Sequence, residues 1–242
     1  MSATPIEPEK HHRQKSRRAA TATLLLLLVY LAVAYFAAPE YWWFRNADIA
    51  PLSMRTTTTQ DIPGDPINVG LVGSHEEVLR AFAAAGWRPA DAITLRSSID
   101  IGLSVIFDRP DTEAPVSTLL YDGRKQDLAF EKPVGESADQ RHHVRFWQTK
   151  ATGDDPRPLW LGAASFDRGV GLSHDTGQIT HHIGPDLDAE RDNLMRDLET
   201  AGRLQSTYEI PGSGATTTGR NGGGDPFFTD GAASVGVLIS GP

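Results

Sequence analysis

Histidine is the residue to begin with, because this chain places it in pairs. His142-His143 and His181-His182 are adjacent in sequence, His174-Asp175 lies just ahead of the second pair, and Asp167-Arg168 precedes that. Arg141 and Arg145 flank the first pair, and Arg124-Lys125 lies upstream. Imidazole and carboxylate are zinc ligands, and three of them with a fourth position open can activate water. His143, His182 and His174 with Asp167 or Asp175 would supply that set, although no H-x-x-x-H or H-E-x-x-H spacing accompanies them. Guanidinium forks match phosphate geometry. Arg124, Lys125, Arg141, Arg145 and Arg168 could therefore hold an anion beside a histidine acting as acid or nucleophile. On that reading His143, His182 and Asp167 are the catalytic candidates, and Arg124, Arg141, Arg145, Arg168 and His174 the ligand-binding ones. A third reading is structural: strand histidines and arginines bond across a sheet and pair with acids. The chain has 31 acids against 23 lysines and arginines, so partners abound and the structural reading is preferred. No metal is then expected, and the cofactor is left unknown, zinc being the one the residue types would suit.

These side chains need a scaffold. Ile67–Val72 alternates as a strand, Gly73-Ser74 turns, and Ser74 with Glu77 three residues on makes a capping box for a helix carrying Val78, Leu79 and Phe82. Further strands are expected at Ile99–Phe107, Ser117–Tyr121, Asp127–Phe130, His142–Trp147, Leu159–Phe166 and Ile179–Ile183. Asp186 caps a second helix, Leu187–Thr200, with Leu187, Leu194 and Leu198 inward and Glu190, Arg191, Asp192 and Arg196 on its wet face. Residues 211–242 hold nine of the 23 glycines, which marks loop, but end in a strand-like Ser234–Ile239. In a strand, neighbours point to opposite faces. His142 therefore goes with Val144 and Phe146, and His143 with Arg141 and Arg145. His181 goes with Ile179 and Ile183, which leaves His182 as the histidine expected to converge on His143. Asn221-Gly222-Gly223-Gly224-Asp225 lacks the Lys-Ser/Thr of a phosphate loop, and no Gly-x-Ser-x-Gly elbow occurs.

Between Arg18 and Glu40 lie 21 uncharged residues. At about 1.5 Å each they span about 31 Å as a helix, close to the hydrocarbon thickness of a bilayer. Residues 1–18 carry five basic side chains and two acids, net +3, which places the N-terminus in the cytoplasm. The aromatic run Tyr41-Trp42-Trp43-Phe44 suits the far interface. A cleaved signal peptide, cut after Ala32-Val33-Ala34 or Phe36-Ala37-Ala38, is the competing reading, and either one exports the rest. The other 224 residues hold 18 basic and 29 acidic side chains, net −11, which argues against nucleic-acid binding. There is no cysteine, so disulfides, thiol nucleophiles and cysteine-ligated metals are excluded.

Several stretches together resemble the C-terminal domain of the LssY family of bacterial envelope proteins. They are Gly70–Ser74, Ala84–Trp87 followed by Ala90-Asp91, Gly123–Phe130, Arg141–Arg145, Trp160–Arg168, Thr176–His182 and Asp188–Asp192. Members of the family are often fused to multi-spanning membrane domains of the DedA or phosphatidic-acid-phosphatase type, and here one apolar helix stands in that place. The resemblance implies no activity for the domain itself. The expected organisation is a basic cytoplasmic stub (1–18), a transmembrane helix (19–39), an interfacial segment and linker (40–66) and an extracytoplasmic domain (67–242). The expected fold is α+β, a mixed sheet with two main helices. The expected function is envelope binding or scaffolding at the inner membrane, with the lipid bilayer and an envelope protein or anionic envelope lipid as partners. The alternative is an enzyme or receptor for phosphorylated or anionic envelope lipids or saccharides.

Overall fold

The computed structural model describes residues 8–45, 54–90, 118–135, 140–151, 156–211 and 217–240. Helix α1 (Pro8–Ala32) passes through a π-helical turn (Val33–Ala37) into α2 (Ala38–Arg45). Then follow β1 (Arg55–Thr58), β2 (Pro63–Pro66), β3 (Val69–Val72), α3 (His75–Ala84), β4 (Arg88–Pro89), β5 (Leu119–Tyr121), β6 (Arg124–Lys125), β7 (Leu128–Pro133), β8 (Arg141–Gln148), β9 (Leu159–Leu172) and β10 (Ile179–Ile183). The chain continues with α4 (Leu187–Thr200), β11 (Leu204–Pro211), β12 (Thr218–Arg220), β13 (Pro226–Phe228) and β14 (Ala232–Leu238). The strand expected at Ile99–Phe107 lies outside the described residues.

The fold is α+β. A large mixed sheet runs β11-β14-β3-β9-β8-β7-β4, with β10 added to β9. All its pairings are antiparallel except that of β14 with β3. Its strands alternate two faces, and both are buried. One face carries Val69, Leu71, Phe130, Val144, Phe146 and Trp160 against Val78, Leu79 and Phe82 of α3 and Leu194 and Leu198 of α4. The other carries Trp147, Leu161 and Ala163 against Ile67 and Leu119, beneath a four-stranded sheet ordered β2-β1-β5-β6. The residues from Arg55 to Pro66, expected as linker, are thus half of a covering sheet. Their prolines are tolerated because β2 is an edge strand.

Local chemistry sets the helix ends. The Ser74 hydroxyl accepts from Glu77 N and the Glu77 carboxylate accepts from Ser74 N, a complete capping box. Asp186 accepts from Ala189 N at the start of α4. One expected wet-face residue of α4 is instead buried. Arg191 is 5% exposed and donates to Asp188, Asp192 and Asp230. Helical spacing places it outside, but the loop after β13 folds over that flank and supplies Asp230 and the Ala232 carbonyl. Burial lowers the Arg191 pKa, but its hydrogen bonds to Asp230 and Asp192 outweigh that and raise it above its usual value, while Asp230 is lowered by the same bond.

The apolar helix leaves Leu24–Leu28 exposed and buries Ala34 and Pro39. In the π turn, Ala38 N donates to Val33 O. The next carbonyl, Ala34 O, would take its π-helical bond from residue 39, which is proline and has no N–H. Gln178 of the β9–β10 loop supplies the missing donor, its Nε2 lying 2.9 Å from Ala34 O, and the Tyr30 hydroxyl donates to Gly177 O at 2.6 Å.

Candidate functional site

Strand alternation on β8 does what the sequence requires of it. His142 faces the helices, where its Nδ1 lies 2.7 Å from the Glu190 carboxylate of α4. Arg141, His143 and Arg145 point to the other face and are 4%, 2% and 5% exposed. Register brings Ser165 opposite His143 and Asp167 opposite Arg141 on β9, and Glu131 opposite His143 on β7. Arg141 is the hub. Its Nε donates to Asp167 at 3.0 Å, Nη1 to Glu131 at 2.9 Å and Nη2 to His181 Nε2 at 3.2 Å. Because a guanidinium only donates, His181 Nε2 is the acceptor and that ring carries its proton on Nδ1. Arg88 donates to the other Glu131 oxygen, and Arg145 lies 3.9 Å from Asp65 of β2.

The convergence on His143 involves the other member of the second pair: His181, where His182 was expected. The cause is a slip on β9, where Ile183 pairs with Asp167 but His182 pairs with Gly169, so that Arg168 is skipped. Ile179, His181 and Ile183 all line the same cavity as Asp167. The remaining sequence candidates lie apart. Arg124 is exposed, 3.4 Å from Asp127 and donating to Gln148 O, and Arg168 is exposed at the slip.

Burial dominates the electrostatics. Desolvation raises the Asp65 carboxyl above the ordinary carboxylate value, opposed first by Arg145. It raises Asp167 likewise, opposed by Arg141 and Arg145. His143 is pushed well below the ordinary imidazole value by burial, and then by Arg145, Arg141 and His181, so it is neutral at pH 7. A proton therefore separates the folded and unfolded states. Below about pH 6.5 an unfolded His143 takes up a proton that the folded one refuses, and stability falls as pH falls, by up to about 1.4 kcal/mol per unit. Asp65 and Asp167 act with the opposite sign, since their burial penalty relaxes as pH falls through their raised folded values toward ~3.8. The imidazole contribution is isolated by comparing the chain with a His143→Gln variant in denaturant melts at pH 7 and about pH 5. The variant is expected to lose less stability on acidification, and parallel pH profiles would contradict the assignment.

Above this network lies a cavity of about 300 Å³. Arg145, Asp65, Asp167 and Ser165 line it from the sheets, Thr180 and His181 from β10, Asn221 and Gly223 from the turn before β13, and Tyr35 from the apolar helix. Its rim continues along the β9–β10 hairpin. Leu172 pairs with Ile179 and Val170 with His181, so these side chains share the cavity's face, and Val170, Leu172 and Ile179 are 44%, 56% and 48% exposed. The hairpin loop keeps its donors occupied. Ser173 N bonds to Gln178 O, His174 N to Gly223 O, and Gly177 N to Ser173 O. Asp175 N and Thr176 N bond to the Ser173 hydroxyl, and Gln178 N to the Thr176 hydroxyl.

His182 and His174 meet on the hairpin's other side, with Asp225. His182 Nδ1 is 2.8 Å and His174 Nε2 is 3.5 Å from Asp225 Oδ1, and the imidazole centroids are 4.9 Å apart. Two members of the sequence-derived metal set are therefore together, with Asp225 in the place of Asp167 or Asp175, while His143 belongs to the Arg141 network.

The sequence model of the LssY C-terminus family matches residues 48–233. The chain belongs to this family. No curated protein and no solved structure matches it. The match begins at residue 48, well before Ile67, in accord with β1 and β2 being part of the LssY C-terminal domain. Sequence reasoning missed Asp65, Glu131, His181, Asn221 and Asp225. Asp65 sat in Pro-Gly-Asp-Pro and Asp225 ended a glycine run, both of which read as loop. The available signal for Asp225 was that its glycines are followed by Pro-Phe-Phe, a short apolar strand that fixes the turn.

Proposed function

We propose that this LssY C-terminal domain is a membrane-held binding module whose cavity takes the hydroxylated head group, a saccharide or polyol, of an envelope amphiphile. The lining of the cavity carries the reading. Buried Asp65 and Asp167 accept hydrogen bonds, Arg145 donates, and Ser165, Thr180 and Asn221 do either, which is the mixture that a polyhydroxylated ligand matches. A phosphate is less suited, because the arginines are already paired with Glu131, Asp167 and Asp65. Tyr35 and the Val170–Leu172–Ile179 rim offer apolar surface to the rest of such a molecule.

The position of the domain favours a lipid-borne ligand. The apolar helix can cross a membrane by length and composition. With its basic flank in the cytoplasm, the domain stands on the extracytoplasmic side of the inner membrane. Between Arg18 and Tyr30, the first helix residue bonded to the domain among the described side chains, lie eleven residues, about 16 Å of helix and about half a bilayer. The hairpin then reaches below the outer bilayer surface, where the satisfied N–H groups of its loop are a requirement and its exposed aliphatic residues meet lipid.

The test is retention of lipid by the full chain reconstituted in phosphatidylcholine nanodiscs containing either a glycosyl-diacylglycerol or phosphatidylglycerol, read by native mass spectrometry. The glycolipid is expected to be retained, and Ser165→Leu, which fills the cavity, is expected to reduce retention about tenfold or more. Preference for phosphatidylglycerol, or retention unchanged in Ser165→Leu, would reject the reading.

A further inference from the structure

Outside the cavity, the His174–His182–Asp225 group has the features of a built coordination site. Asp225 is 1% exposed, and among the described residues no lysine or arginine pairs with it. Its side-chain partners are the two imidazoles and the backbone N–H of Ile183, which donates to Oδ2 at 3.1 Å. A buried carboxylate left to two imidazoles is poorly compensated unless a cation joins them. The second oxygen is already held by Ile183, which leaves Oδ1 aimed at the imidazoles.

The separations from Asp225 fit one ion. Zinc binds imidazole nitrogen and carboxylate oxygen at roughly 2.0–2.2 Å in tetrahedral geometry, so two of its donors lie about 3.3 Å apart. The two donor distances to Asp225 Oδ1, 2.8 and 3.5 Å, bracket that value, and all three donor atoms lie within 4.8 Å of one another. The donors are also held in place. A Cβ on Gly171 would lie 2.5 Å from His182 Nε2, so the ring packs directly on glycine backbone. Gly224, at φ +83°, has room for no Cβ beside His174 and Asp175. The Asn221 side-chain oxygen accepts from both Gly223 N and Asp225 N, fixing the turn that carries the carboxylate.

We infer that His174 Nε2, His182 Nδ1 and Asp225 Oδ1 form a divalent transition-metal site, with zinc the best match. Two imidazoles and one carboxylate favour zinc over calcium or magnesium, which prefer all-oxygen sets. The three donors come from the β9–β10 loop, from β10 and from the turn before β13. The ion would therefore staple the cavity-rim hairpin to the glycine-rich segment that also lines the cavity.

The experiment uses the full chain in detergent, stripped with chelator and titrated with zinc chloride by calorimetry, with metal content read afterwards by mass spectrometry. One equivalent is expected at micromolar affinity or tighter, with a rise in Tm on saturation. His174 is exposed, so His174→Ala leaves the fold intact, and it is expected to weaken binding at least tenfold. Asp225→Asn is expected to do the same if it folds. Asp175→Asn, beside the site but outside the donor set, and a His11→Ala/His12→Ala control are expected to bind as the parent does. Less than about one-tenth equivalent bound, or binding that His174→Ala leaves unchanged, would overturn the inference.

Discussion

Arg141→Met is expected to destabilise the domain by about 3–5 kcal/mol, the usual cost of removing one partner from a buried ionic network. The mechanism is the loss of three bonds from one guanidinium. Asp167 loses its nearest cation and, among the described residues, Glu131 keeps only the half-exposed Arg88. His181 Nε2 loses its donor. All three acceptors stay buried, and Glu131, which does not line the cavity, has the least access to replacement water. For a domain of this size the loss corresponds to a Tm lower by roughly 6–20 °C, measurable by a thermal melt of the full chain in detergent. A companion variant separates network from packing. Arg141→Met combined with Glu131→Leu and Asp167→Leu removes Arg141 together with both of its carboxylate partners and is expected to recover much of the loss. A single variant within 1 kcal/mol of the parent would mean that water reaches the network.

Phe82→Ala is expected to cost a similar 3–5 kcal/mol by a different route. Phe82 is fully buried, stacks on Phe130 with centroids 3.9 Å apart, and meets Trp87 and Phe146 edge-on at 5.6 Å. Those rings stand on β7, on β8 and after α3, so they cannot close together over the space left behind. Phe82→Leu keeps most of the volume and is expected to cost well under half as much. Both changes lie on the helix face of the large sheet, opposite the cavity and away from Asp225. Zinc affinity at a temperature where the variant is folded should therefore match the parent. If Phe82→Ala weakened zinc binding as much as His174→Ala does, the two faces would not be independent.

The elements were legible where one physical rule decided the matter. The Ser74 capping box, the Asp186 cap, the boundaries of β10 and the two-faced pattern of β8 all follow from hydrogen-bond chemistry or period-two alternation acting locally. Legibility stopped where a distant segment intervened. Arg191 is solvent-facing by helical spacing and is buried only because Asp230 arrives from beyond β13. His182 and His181 exchanged their expected roles because β9 skips Arg168, and nothing within the strand announces that slip. The proline-rich stretch before Ile67 gave no periodic signal, since β1 and β2 are four residues each and take their order from β5 and from the large sheet beneath. In the site, His174 and His182 were recognised as potential ligands from residue type alone, but their third partner lies 43 residues beyond His182 in a glycine-rich segment.

The position of β14 bears on when this domain can fold. Residues 232–238 lie in the interior of the large sheet, between β11 and β3, and pair in parallel with a strand about 165 positions earlier in the chain. Contacts of that sequence separation form slowly, because the loop must close before they reward it. The strand that completes the sheet is synthesised after every other strand of it. Until β14 arrives, β3 keeps one edge without its ladder, which makes it a template for pairing with another chain. Truncations or slow translation in the glycine-rich segment ahead of β14 would therefore act on the yield of folded protein rather than on the affinity of the molecules that do fold.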